Sequence, residues 1–138
     1  MPTLSDLIDE VKTNLQGYTL RQDRITYLTA PINSAQTAIQ VGTQSNLGKG
    51  IIEIDDELLW IDSFDKTNNT LNAIPGFGRG YQNTTASPHS LYAQVTLAPS
   101  FPKAYIKKAI NDTINSFYPK LWAVSSTTFT FNASQVTY

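Results

Sequence analysis

The sequence predicts an α+β fold: an N-terminal helix, a small antiparallel β-barrel or sandwich, then a second helix and an extended C-terminal strand or tail. Three observations carry this. Near the start, Leu4, Leu7, Ile8, Val11 and Leu15 recur at steps of three and four, the spacing of a helix with one apolar stripe. From Ile25 to Leu97 that period gives way to alternation, β-branched residues and turn clusters, the signs of five or six short strands. After Pro102 the helical spacing returns through Ile106, Ala109, Ile110, Thr113 and Phe117. A chain of 138 residues fits one compact domain and can bury on the order of two thirds of the surface its unfolded form exposes.

Residues 1–17 form the N-terminal helical unit. Thr3 stands three positions before Asp6 as a capping pair, acidic side chains occupy the first turns, and Gly17 provides the stop. A helix this short must dock its stripe on something to persist. Residues 18–98 are the antiparallel β domain. Residues 37–41 alternate, then a loop rich in Gly, Asn and Ser follows. In the clearest hairpin Ile52 and Ile54 face one side, Glu53 and Asp55 the other, Asp56 and Glu57 make the turn, and residues 58–64 return. A second turn at 65–69 leads to a strand at 70–74. A glycine-rich bend at 75–80 and a long polar loop to Ser90 precede a closing strand at 93–97. Residues 99–124 are the second helical segment, with a cap and a first-turn proline in residues 99–102 and Pro119 as its end. Residues 125–138 are an extended tail in which Phe129 and Phe131 alternate like a strand.

Composition removes several function classes. The absence of cysteine excludes disulfides and thiolate zinc sites, and one histidine excludes any site that requires two. Ten basic against eleven acidic residues offer no general attraction for phosphate. No apolar run approaches a bilayer span, and the start lacks the basic flank of a signal peptide. A soluble, intracellularly made chain is expected. The tripeptides Asn-x-Ser/Thr at Asn68, Asn83, Asn111 and Asn132 are then accidents of composition. Charged residues are only 15%, whereas Ser, Thr, Asn and Gln make up about a third, an uncharged polar surface suited to protein contact.

Candidate chemistry is sparse. The carboxylates Glu53, Asp55, Asp56, Glu57, Asp62 and Asp65 have the chemistry to cleave a glycosidic bond or hold calcium. Alternation alone places them instead on a solvated strand face and turn. Residues 76–80, Gly-Phe-Gly-Arg-Gly, match neither phosphate-binding glycine spacing. They read as a sharp turn anchored by Phe77 and Tyr81, with Arg79 gripping a neighbour's carboxylate or lying in water. His89 near Thr84 and Thr85 lacks the strand-turn-helix context of a nucleophile elbow. Gly80, Thr84, Thr85 and His89 are assigned to ordering the loop. Lys103, Lys107 and Lys108 read as a solvated helix face. No catalytic residue, cofactor or metal ligand is assigned.

The run Gly78 to Val95 resembles the signature R-G-x-x-G-T-x-A-x-x-H-x-x-G-x-x-V of structural proteins of tailed bacteriophages. In those proteins it follows a hairpin of the form I-x-I-D-x-E-L-M-x-I, here residues 52–61. Residues 101–106, 109–112 and 118–124 are similar to the stretch that follows in phage head-to-tail connector or adaptor proteins. Two positions depart from the pattern: Asn83 and Tyr92 stand where it has glycine. The likeness runs from about Ile51 to Val124 and corresponds to the N-terminal part of longer relatives.

The resemblance implies a virion component without catalysis. It would be a dodecameric homo-oligomeric ring in the neck, assembled in the host cytoplasm, bound to the portal protein and to a downstream neck or tail protein. DNA would pass without sequence-specific binding, and a near-neutral or acidic lumen would let it slide, because each fixed cation adds a phosphate contact. The leading interface candidates are Leu4, Leu7 and Val11, the loop from Phe77 through Arg79 and Tyr81 to Tyr92, and Trp122, Phe129 and Phe131. Two rival classes remain open. One is a receptor- or carbohydrate-binding module of a tail fibre or baseplate, with Trp60, Tyr81 and Tyr92 stacking on sugar faces. The other is a hydrolase on the acidic hairpin.

Overall fold

The computed structural model describes residues 3–43 and 48–118, together with Lys120 and Ser126. Its elements run α1 (Leu4–Gly17), β1 (Arg24–Tyr27), β2 (Ala38–Gln40), β3 (Gly50–Ile54), β4 (Glu57–Asp65), β5 (Thr70–Ala73), β6 (Gln94–Leu97) and α2 (Lys103–Ser116), with a single 3-10 turn at Tyr81–Asn83. The predicted α+β class holds. All six strands form one antiparallel sheet in the order β1-β6-β3-β4-β5-β2. The sheet curls into a half-barrel whose edge strands reach each other through an isolated bridge between Leu28 and Val41. There the Thr29 N–H donates to the Gln40 carbonyl and the Gly42 N–H to that of Tyr27. Inside the curl, Leu28, Ile32, Ile39, Val41, Ile52, Ile54, Leu59, Ile61, Leu71, Val95 and Leu97 form one buried cluster. Among the described residues no helix is long and apolar enough to cross a membrane.

The hairpin turn lies one residue earlier than expected. Asp55 and Asp56 make it, Ile54 pairs with Glu57, and Glu53 pairs with Leu58. Asp55 takes φ 52°, a left-handed conformation that aspartate tolerates. Opposed residues of an antiparallel pair share a face, so Glu57 joins Ile54 on the inner face, at the mouth of the curl. Glu53 points outward with Leu58. The reading of these glutamates as a solvated face and turn is therefore wrong: both are buried, at 3% and 1% exposure. Asp55, Asp56 and Asp62 are exposed, and Asp62 is the extra residue where the β4–β5 register shifts.

On the outer face the two helices pack over the hairpin. The Thr3–Asp6 capping box forms, with the Asp6 N–H donating to Thr3 Oγ1 at 3.2 Å and the Thr3 N–H to Asp6 Oδ2 at 2.7 Å. The second helix is capped differently from expectation: Pro102 is itself the N-cap and supplies no side-chain bond. The acceptor comes from the sheet, where Glu53 Oε1 receives the Lys103 N–H at 2.5 Å. Glu53 Oε2 also binds Lys12 Nζ from α1 at 3.0 Å, so one carboxylate ties both helices to β3. The expected C-terminal strand with Phe129 and Phe131, and Trp122 before it, lie outside the described residues.

Candidate functional site

The densest polar arrangement gathers at the mouth of the half-barrel, around Glu57. Burial alone pushes its carboxyl up. The Arg79 guanidinium outweighs this, with the N–H groups of Ser87 and Gly80 and the His89 ring, and holds it at about 2 against an ordinary 4.5. The pair is bidentate: Arg79 Nε donates to Oε1 at 2.7 Å and Nη2 to Oε2 at 2.9 Å. The remaining guanidinium N–H groups reach the carbonyls of Asn33, Gln36 and Ser87, each at 2.7 Å. An arginine has five N–H donors, and here each has a carbonyl or carboxylate acceptor. The expected contact of Arg79 with a neighbour or with water is thus replaced by one inside the chain.

The glutamate is equally occupied. Beyond the guanidinium, Oε1 accepts the Gly80 N–H at 2.9 Å, and Oε2 accepts the Ser87 N–H at 2.9 Å and faces His89 Nε2 at 2.8 Å. On the other side of the ring, Nδ1 lies 2.7 Å from Asp55 Oδ2. The ring thus stands between a carboxylate of the hairpin turn and the buried one of β4. The backbone of His89 adds a reciprocal pair with Ile32, at 3.0 and 2.9 Å. Hairpin, segment 32–36 and loop 79–89 are therefore fastened at one buried point.

Other signature positions in the 79–95 run also make contacts within the fold. Gly80 takes φ 61°, and a Cβ there would sit 2.9 Å from the Thr84 carbonyl oxygen. Thr84 Oγ1 accepts the Leu58 N–H at 3.1 Å and donates to the Tyr81 carbonyl at 2.9 Å, stitching the loop to β4. Thr85 is exposed, and its carbonyl accepts the Ser87 hydroxyl at 3.2 Å. Ala86 borders the space where a Gly80 Cβ would go. Val95 is fully buried in the core. Asn83 and Tyr92, the two departures from the glycine pattern, both adopt φ 68°. Such angles suit glycine and tax other residues.

The interface candidates are dispersed. Leu7 and Val11 line a groove between α1 and α2, and Leu4 at the start of the same stripe is exposed. Phe77 is exposed, Tyr81 packs its ring on Trp60 with centroids 5.1 Å apart, and Tyr92 leans on Tyr27 at 6.2 Å. Trp60, Tyr81 and Tyr92 thus fall into two separate ring pairs, which does not make a single sugar-stacking platform. Both ring nitrogens of His89 face carboxylates, so neither is turned to a hydroxyl as a base. Among the described residues no group of three or more His, Asp or Glu side chains is arranged to hold a metal ion.

Residue-pattern reasoning assigned His89 and Gly80 to loop ordering but missed Glu57, their common partner. The available signal was the order of two motifs, a hairpin holding a glutamate and a loop holding an arginine, which does not by itself say that the two side chains meet. No family model, curated protein or solved structure matches the chain.

Proposed function

We propose that this chain is a structural subunit of a tailed-phage virion, a head-to-tail adaptor in the neck. It would stand as a ring between the portal and the next neck or tail component, with DNA passing through unread. One observation carries the reading: the positions where the phage signature has glycine, 83 and 92, both take φ 68° here although neither residue is glycine. Glycine would meet this backbone angle at both places without a Cβ penalty, and that agreement supports the likeness, although Asp55, Asn69, Gln82 and Ala98 also take positive φ. The signature letters Arg79, Gly80, Thr84, Ala86, His89 and Val95 likewise fall at positions with contacts in the fold, so the hairpin and loop motifs act as one unit.

A subunit held by contact also needs surface for its neighbours. Tyr27 and Tyr92 are exposed on the β1 side and border a shallow cavity of about 300 Å³ with Ile25. Aromatic residues ringed by uncharged polar groups suit a heterologous contact that closes into a ring. Electron microscopy of the purified chain mixed with the portal of its phage tests the proposal, with mass spectrometry of purified particles beside it. Rings on the portal and presence in the particle are expected. Absence from particles, or tight glycan binding without any portal binding, would overturn it.

A further inference from the structure

Helices α1 and α2 meet along a narrow line, with one buried residue each, Ile8 and Ile106. Beside that line runs a groove of about 590 Å³ whose walls include Leu7, Val11, Leu15, Tyr105, Ala109 and Ile114. Among the described residues, charged side chains are absent from its lining. Several wall residues are well exposed, among them Leu7 at 41% and Ile114 at 60%. The space falls in the range that commonly buries a compact apolar ligand.

We propose that this groove is the docking site of the chain's own segment Leu121-Trp122-Ala123-Val124. The segment is the longest unbroken apolar run outside the sheet and carries no charge, matching the uncharged groove. It also begins five residues after α2 ends at Ser116, and α2 forms one wall. From Tyr118 to Trp122 the chain spans four residues, at most roughly 14 Å when extended, so the run reaches the groove without a long linker. Closing so short a loop costs little. The tether sets an effective concentration in the millimolar range, which a second copy offering the same run does not reach at ordinary protein concentrations. This inference stands independently of the adaptor reading.

The absence of native cysteine makes the test direct. The full chain carrying Ala109→Cys and Ala123→Cys is oxidised in dilute solution and followed by mass and non-reducing electrophoresis, with Thr43→Cys and Ala123→Cys as control. A disulfide within one chain is expected, formed on the order of a hundredfold faster than any between chains. Cross-links between chains alone would overturn the proposal in favour of a second copy. A rate no greater than the control's would overturn it altogether. As a second readout, Trp60→Phe leaves Trp122 as the sole tryptophan. Its emission should be blue-shifted and shielded from iodide, and Val11→Asp should move it toward that of a solvated indole; an emission already solvated before Val11→Asp overturns the proposal.

Discussion

Two glutamates four positions apart on one hairpin have opposite tasks. Glu53 faces outward and is buried by helices laid over it, bonding one lysine and one helix N–H. Glu57 faces inward at the barrel mouth and takes the guanidinium fork, two backbone N–H groups and the histidine ring. The first joins layers through a single-point ammonium, Lys12. The second fixes a loop through a planar bidentate pair, where geometry as well as charge is specified. The same residue type thus gives a single-point joint in one place and a bidentate one in the other, and the resembling loop signature falls on the bidentate one.

That contrast is broken most sharply by removing Arg79. Arg79→Ala leaves Glu57 buried without its countercharge and strips three carbonyls of donors. A loss of about 3–5 kcal/mol in urea unfolding is expected. The double variant Glu57→Leu with Arg79→Leu should be less destabilised than Arg79→Ala, because no ionised group is then stranded. If the single change costs under about 1 kcal/mol, the lock is not what holds the loop.

Acid titration probes Glu57 next. The folded carboxyl of Glu57 sits at about 2 against an ordinary 4.5, so its stabilisation is complete above the unfolded value. It disappears as pH falls from about 4.5 toward 2, because only the unfolded state binds the proton through that window. The loss should approach about 3 kcal/mol. In Glu57→Gln the corresponding part of the acid transition should vanish. An acid profile unchanged in that variant would mean that the bonds around Glu57 do not hold its carboxylate ionised.

Why the sequence conveyed one glutamate's face and not the other's follows from turn placement. Alternation correctly put Glu53 opposite in sense to Ile52 and Ile54, but it carries no information about what covers that outer face. Glu57 depends on a single residue. With the turn at 56–57 it is a loop residue. With the turn at 55–56 it opens β4 on the inner face, since a shift of one residue in a strand reverses every side chain. The helices were legible because their stripes are local, and for α1 so is the cap, the Thr3–Asp6 box; the cap of α2 was not, because it comes from Glu53, 50 residues away. Arg79 lies 22 residues from Glu57 in sequence, and no local pattern connects them.

Glu53→Gln should cost less than the loss of Arg79, about 2 kcal/mol, because one charge-assisted bond and one helix cap are weakened while Lys12 remains partly solvated. The loss should be spatially restricted. Hydrogen exchange is expected to rise in α1 and α2 while amides of β3, β4 and β6 stay protected, a pattern of local opening. Uniform acceleration across the sheet would mean that Glu53 supports the hairpin itself.

The smallest effect concerns the backbone demand at position 83. Asn83→Gly should leave stability unchanged or raise it by a few tenths of a kcal/mol, since glycine enters the left-handed region freely but adds chain entropy to the unfolded state. Asn83→Ala should cost about 1 kcal/mol, because alanine has the Cβ penalty without the local hydrogen bonding that helps asparagine there. The ordering Gly, Asn, Ala by thermal unfolding would tie the signature's glycine to φ. The reverse ordering would mean that the Asn83 side chain, and not its backbone angle, is what the loop requires.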